Sequence, residues 1–451
     1  MEQKLQILLD TVRKLIRRGA FPNLTKVVAK SHPADIAHLF RYLSLKEQRI
    51  LFNLIEDPEK SATVLSELDH STGAEILEQL EKEVITEILQ EMPYDDAVDI
   101  IRNMPEEQAE EILHIMEDEH SEEIEELLKY EEDTAGGIMA SEFFSLREGV
   151  KVSEAIEALQ QAKDVEMVFY LYVTDDAGHL VGVLSLRQLL TVPPETPLKK
   201  IMTTDVISVR TEVDQEEVAR VVERYDILAV PVVDSGNKLV GIITVDDIID
   251  VMRQEATEDI YKMAGASEEE LLYGYKSFKI ARLRLPWLVT NLFGGVMTGY
   301  LMWLFKATLR EVIALISFIP VITGMGGNVG GQSATIVVRG FATGQIDFST
   351  LRQVFFKELR VGAIMGTVCG LTVGLIAYFW HHNPYLGVVV GIAMVTAMTV
   401  AATMGVVATS FFKKIGIDPA IASSPFVQTA NDITGILIYF GTATMFINYL
   451  R

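Results

Sequence analysis

The sequence predicts a multidomain α-helical membrane protein: an N-terminal all-α helical-repeat superhelix, a duplicated α/β region, a long connecting helix and a five-helix transmembrane domain. Three observations carry this. Apolar doublets recur every twelve residues between 57 and 116. A strand-hairpin pattern occurs twice at an offset of 59 residues. The last third of the chain holds apolar stretches long enough for a bilayer, which takes about 20 residues of helix.

The net charge of −24 is divided unevenly. Residues 271–451 contain five acids (Glu311, Asp347, Glu358, Asp418, Asp432) against thirteen Lys and Arg, a net of +8 that leaves −32 on the first 270 residues. So acidic a soluble half repels nucleic acid and attracts cations. Cys369 is the single cysteine and lies in an apolar span, which excludes disulfides and thiolate metal sites. Met1 to Gly19 is amphipathic and mixed in charge, without the apolar core of a signal peptide, so the soluble half is expected to stay where it is made. The eight histidines show no zinc spacing, and no enzyme constellation is present; His381-His382 reads as an outer-loop surface pair.

Residues 1–130 form the first domain. Val64-Leu65, Ile76-Leu77, Ile88-Leu89, Ile100-Ile101 and Ile112-Leu113 are each followed three residues on by Leu68, Leu80, Met92, Met104 and Met116. That offset places doublet and closing residue on one helical face. Pro58, Pro93 and Pro105 open their repeats and argue against one long helix. One short helix per repeat, stacked into a superhelix, is the reading.

Residues 131–200 and 201–260 are the duplicated units. Tyr170 to Ser185 matches Ala229 to Thr244, each a pair of apolar strands around an acidic turn, followed by helices Leu186–Leu190 and Val245–Met252. The repeat resembles a tandem pair of cystathionine-β-synthase-type (CBS) domains, which are regulatory modules. The resemblance implies an adenine-nucleotide site at Ser/Thr-x-x-Asp. The second copy supplies it as Thr244 and Asp247, whereas the first reads Ser185-Leu186-Arg187-Gln188 and lacks the Asp.

An acidic connecting helix over 246–270 overlaps the end of the second copy and leads to the membrane domain, 271–451. Five spans are expected, near 285–305, 311–338, 361–380, 386–412 and 421–449. With the N-terminus cytoplasmic, ten basic residues fall inside (Lys276, Lys279, Arg282, Arg284, Arg339, Arg352, Lys357, Arg360, Lys413, Lys414) and three outside (Lys306, Arg310, Arg451). This predicts a multi-pass protein of the inner (plasma) membrane with its C-terminus outside.

Two membrane stretches carry the chemistry. Gly324 to Thr335 holds five glycines in its first eight residues, with Asn328 and Gln332 on one face; glycine there permits close helix approach or exposes carbonyls to a polar path. In the last span Asp432 stands among Thr429, Asn431 and Thr434, and it is the one carboxylate expected inside a span. An intramembrane Asp is a functional site by default, the alternative being a protonated Asp that hydrogen-bonds a neighbouring helix.

These features together resemble the MgtE family of magnesium channels. The likeness rests on Glu131-Glu132-Asp133-Thr134-Ala135-Gly136-Gly137-Ile138-Met139 before the CBS pair, the acidic helix, Gly326-Gly327-Asn328-x-Gly330-x-Gln332-Ser333-Ala334-Thr335, and Ser424-Pro425-x₆-Asp432. It implies a homodimer whose second and fifth spans line one pore, with Asp432 holding the ion and Asn328, Gln332, Ser424, Gln428, Thr429 and Asn431 lining the path. Mg²⁺ is the implied cargo, with Mn²⁺ and Co²⁺ as further candidates. It also implies closure by cytosolic Mg²⁺ bound to Asp95, Asp99, Gly136 (carbonyl), Asp214, Glu216, Glu223 (carbonyl), Asp226, Asp247, Asp250, Glu255, Glu258 and Asp259. Thr63 stands where the family would have a Glu. A cation-coupled secondary transporter and a non-conducting nucleotide-sensing scaffold are the other readings; Asp432 argues against the scaffold, which needs no charge in its anchor.

Overall fold

In the computed structural model, residues 2–78, 80–162, 169–267, 277–423 and 425–450 are described. The chain divides into two compact units, Met1–Met252 and Arg253–Arg451.

The first unit begins with ten helices among the described residues: α1 (Glu2–Arg17), α2 (Phe21–Lys30), α3 (Pro33–Phe40), α4 (Leu45–Phe52), α5 (Pro58–Ser66), α6 (His70–Leu77), α7 (Lys82–Gln90), α8 (Tyr94–Arg102), α9 (Glu106–Ile115) and α10 (Asp118–Leu127). The twelve-residue repeat is α5 to α9. Val64, Ile76, Ile88, Ile100 and Ile112 are all buried, so each repeat contributes the same position to the core. Helices pack on their second neighbours: α1 with α3, α5, α7 and α9 in one row, and α4 with α6, α8 and α10 in another. Such a stack buries what no single short helix can. Pro58 is the first residue of α5, but Pro93 and Pro105 are the caps preceding α8 and α9, one position earlier than expected.

The duplicated region follows as β1 (Ser145–Arg147), α11 (Val152–Gln161), β2 (Tyr170–Thr174), β3 (Leu180–Ser185) and α12 (Leu186–Thr191). Its second copy is β4 (Val209–Arg210), α13 (Gln215–Tyr225), β5 (Ala229–Val233), β6 (Leu239–Thr244) and α14 (Val245–Ala264). Each copy is a three-stranded sheet with a parallel first pair and an antiparallel hairpin. Tyr170 pairs with Ser185 and Ala229 with Thr244, and the register slips at the same place in both hairpins, after Val173 and after Val232. Even the left-handed turn residue is shared: Gly178 at φ +87° and Asn237 at φ +65° are equivalent. The carbonyl of each accepts from the other copy, Asn237 O from Leu180 N and Gly178 O from Leu239 N. The acidic helix α14 is continuous over 20 residues and runs past the division between the units.

In the second unit the long helices are α15 (Ser277–Leu304), α17 (Ile319–Ala342), α18 (Leu351–His381), α19 (Pro384–Lys414) and α21 (Pro425–Met445). The short α16 (Lys306–Glu311), α20 (Pro419–Ser423) and α22 (Ile447–Leu450) connect or close them. Among the described residues three segments are long and apolar enough to cross a membrane: Ile313–Ala342, Leu351–His381 and Pro384–Lys414. The expected first and fifth spans are helical, as α15 and α21, but polar residues dilute them, including Asn291 in α15 and Gln428 through Asp432 in α21.

Glycines set the closeness of α18 and α19. A Cβ on Gly362, Gly366, Gly370 or Gly374 would sit 2.7–2.9 Å from atoms of α19, so the two backbones meet along a line of i, i+4 glycines. A Cβ on Gly405 of α19 would overlap the Gly330 carbonyl oxygen of α17.

Candidate ion path and acidic sensor sites

Asp432 is half-buried on α21. Gln428, one turn earlier on the same face, is exposed and packs beside Gly327 of α17, next to Asn328. Asn328 and Gln332 are both exposed on α17. Asn328, Gln332 and Gln428 are thus exposed polar side chains, with half-buried Asp432 one turn from Gln428. Two assignments are corrected. Asn431 does not line an open path: it is 1% exposed and wedged where a Cβ on Gly330 would overlap its amide nitrogen. Neither of its side-chain polar atoms finds a hydrogen-bond partner among the described residues. Thr429 points to α15, its hydroxyl 3.4 Å from Asn291 Oδ1 and its methyl against Gly294. Ser424 lies outside the described residues.

Asp432 is also not the one carboxylate in the membrane helices. Glu358 of α18 is 3% exposed and accepts a 2.7 Å hydrogen bond from Ser333 Oγ of α17. The sequence hid it between Lys357 and Arg360, which read as a loop; helix α18 starts seven residues earlier, at Leu351.

In the first unit α8 faces the start of α14. Burial and the like charges of Asp246 and Asp250 push the Asp96 carboxyl up, with His70 opposing them. Burial pushes Asp247 up to about 7, with Asp246 and Asp96 adding to it. Asp99 is pushed up to about 6, mainly by burial, although His70 Nε2 and an Arg102 nitrogen each lie 3.6 Å from it and oppose the shift. Carboxylates that are buried together disfavour their ionised forms. On α8 it is Asp96, rather than the expected Asp95 or Asp99, that interacts with Asp246, Asp247 and Asp250. His70 and Arg102 were not anticipated; Arg102 also donates to the Tyr130 carbonyl at 2.9 Å.

Gly136 and Asp214 are neighbours: Gly136 N donates to Thr211 O at 2.9 Å, Ala135 N to Val213 O at 2.7 Å, and Gln215 N to Asp133 O at 3.0 Å. A side chain at Gly136 would strike Tyr130 at 2.6 Å, so packing alone demands glycine there. Asp214 caps α13 by accepting from Glu216 N at 2.9 Å, and Glu216 pairs with Arg220 at 3.2 Å. Asp226 ends the same helix at φ +50°, with Glu223 a turn before it. The eleven-residue helix α13 separates Asp214 from Asp226 by twelve steps of rise, about 18 Å. One ion in one chain therefore cannot use both.

Thr244 donates its hydroxyl to Asp247 Oδ2 at 2.5 Å, so the nucleotide-signature pair forms a helix cap, as Ser185 and Gln188 do in the first copy. Thr63 is exposed and hydrogen-bonds to its own helix at Glu59 O. Glu258 pairs with Lys262 at 2.6 Å, and Asp259 and Glu255 lie on the same stretch of α14. Among the described residues no three His, Cys, Asp or Glu converge as a metal cage. Mg²⁺ is normally held by one or two carboxylates and retained waters, fewer protein groups than such a cage supplies.

Comparison with known proteins matches the helical-repeat, duplicated and membrane parts of the chain. Residues 319–442 match the family "MgtE: Divalent cation transporter", residues 31–133 the MgtE intracellular N domain, and residues 135–195 and 198–254 the CBS domain. The chain is 42% identical to the magnesium transporter MgtE of Thermus thermophilus over 71% of each chain, and 40% identical to that of Bacillus subtilis over 72% of each. A crystal structure of the cytosolic domain of the Mg²⁺ channel MgtE in complex with ATP aligns with 54% of this chain and 99% of its own, at 37% identity and a TM-score of 0.51. The chain belongs to the MgtE family of magnesium transporters.

Proposed function

We propose that the chain forms a homodimeric channel that passes Mg²⁺ into the cytoplasm along α17 and α21 and is closed by cytosolic Mg²⁺. The observation that carries the reading is the exposed polar face of Asn328, Gln332 and Gln428 beside half-buried Asp432, on helices whose neighbours present hydrocarbon. Polar groups facing lipid are costly, and a second copy across a two-fold axis would turn this face into a path. Two Asp432 carboxylates facing each other suit a hydrated divalent ion. The buried acids of α8 and α14 support the gating half: a divalent ion offsets their repulsion only while they are together, so it favours the compact state. The excess of basic residues in the segments on one side supports a cytoplasmic N-terminus. The 37% identical cytosolic domain crystallised with ATP supports adenine nucleotide at the CBS pair, with Thr244 and Asp247 as the signature residues.

The test is Mg²⁺ flux into liposomes holding purified protein, with luminal Mg²⁺ set by buffer. Asp432→Asn keeps the shape and removes two charges per dimer. Flux should collapse while the protein still folds and dimerises; undiminished flux sinks the role of Asp432.

A further inference from the structure

Lys262 lies on the last turn of α14, where its ammonium is 2.6 Å from Glu258 Oε1 and 2.7 Å from Asp418 Oδ2. Asp418 belongs to the loop before α20. Its other oxygen accepts from Ala420 N at 2.8 Å and so caps the short helix that leads into α21. Asp259 lies in the same field: burial and Asp418 raise its carboxyl, while Lys262 and Arg339 lower it. Just beyond, Gly265 turns at φ +70°, and a Cβ there would lie 3.6 Å from Trp287 and 3.9 Å from Pro425, the first residue of α21. The end of α14 therefore meets both the loop that starts α20 and the residue that starts α21.

We propose that Lys262 and Asp418 form a latch that couples the connecting helix to α21, with the Lys262 ammonium as a tethered cation among Glu258, Asp259 and Asp418. The proposal rests on the gating part of the reading above and names its transmitting contact. It also reverses the role that resemblance gives Glu258 and Asp259, which become partners of a built-in cation rather than Mg²⁺ ligands. An ammonium already bridging two carboxylates needs no dissolved ion. Mg²⁺ could enter only by displacing it and giving up water, which Mg²⁺ does reluctantly. The latch thus stays closed when Mg²⁺ is withdrawn, and movements of α14 driven elsewhere by Mg²⁺ pass through it to α21.

The full-length protein tests this as wild type, Lys262→Gln, Asp418→Asn and the double variant. Asn at 418 keeps the oxygen that caps Ala420 and loses only the charge. Half-inhibiting internal Mg²⁺ should rise about tenfold in each single variant and no further in the double, because partners acting as a unit do not add. If these acids bind Mg²⁺ instead, Lys262→Gln removes a competitor and the half-inhibiting concentration falls. A fall, or no change, overturns the latch. Thermal unfolding of the same four proteins in EDTA decides the latch separately from gating. The double variant should be no less stable than the weaker single, and additive losses overturn the proposal. Should wild type show no inhibition by internal Mg²⁺, the gating reading fails while the EDTA cycle still decides the contact.

Discussion

Ser333 donates a 2.7 Å hydrogen bond to Glu358, tying the glycine-rich helix α17 to α18 from behind its polar face. Gly405 of α19 lies against the Ser333 side chain at the same place, where an added Cβ would come within 3.1 Å of Ser333 Cβ. Glu358→Gln keeps an acceptor for Ser333 at nearly the same volume. Glu358→Ala leaves the hydroxyl unpaired in a buried site, a loss of roughly 1–3 kcal/mol before any cavity cost. Purified protein should therefore lose clearly more thermal stability as Ala than as Gln. Equal losses would show that the hydrogen bond contributes nothing.

The glycine contacts make a sharper comparison. At Gly405 an added methyl would overlap a backbone carbonyl, which no rotamer change relieves, whereas Gly441 on α21 has open space around it. Gly405→Ala should lower the stability of the membrane domain by about 3 kcal/mol, the upper end of the usual cost of overpacking a core. Gly441→Ala should be neutral or slightly stabilising, since Ala is the better helix former. Matched melting temperatures for the two would refute the close approach of α17 and α19.

Much of this was legible because it is periodic. The doublets at Leu65, Leu77, Leu89 and Ile101 repeat with one spacing because each occupies one slot in the stack, and the hairpins repeat down to the bulges after Val173 and Val232. What stayed hidden is what depends on neighbours distant in sequence. Asn431 reads like a path-lining amide until Gly330 is found filling the space beside it. Lys262 reads as one solvated base on an acidic helix until Asp418, 156 residues away, is found at its ammonium. Glu358 reads as loop because its charged neighbours mask the helix that contains it. The spans were harder to delimit, since the helices with the most informative polar residues are the least apolar.

Metal-free stability of the first unit should depend on pH with a definite sign. Burial raises Asp96 and holds Asp247 at about 7 and Asp99 at about 6, against an ordinary 3.8. A carboxyl raised in the folded state favours folding most below its unfolded value, and that contribution is lost as pH rises through the folded value. In EDTA the melting temperature of a fragment covering residues 1–264 should fall between pH 5.5 and pH 8. Millimolar Mg²⁺ should flatten the fall if it binds these ionised acids. A melting temperature that climbs over that range in EDTA contradicts the buried-acid picture.

Orientation can be checked with the native Cys369 replaced by Ser. His381 is exposed at the end of α18, and Lys414 is exposed at the end of α19. A membrane-impermeant thiol reagent on intact cells should label His381→Cys and spare Lys414→Cys. The opposite pattern would place the acidic unit outside and remove any basis for an internal sensor.

The sensor itself is best tested by deletion. Neutralising Asp96 should weaken Mg²⁺ binding but also relieves repulsion with Asp246, Asp247 and Asp250, so the two effects oppose each other. Removing residues 1–130 takes away α8 and its acids while leaving the duplicated sheets, α14 and the membrane helices. The acids at the start of α14 then lose the facing carboxylates with which they would share an ion. An ion that binds only the assembled state stabilises it in proportion to the logarithm of its concentration over Kd, so losing that site shifts closure to higher Mg²⁺. The truncated protein should still conduct, and its inhibition should need at least about tenfold more internal Mg²⁺. Protease protection of the intact soluble unit should rise with Mg²⁺ over the same range that closes the full-length channel. Flat protection across that range, or unchanged inhibition of the truncated form, would remove the α8–α14 acids from the gate.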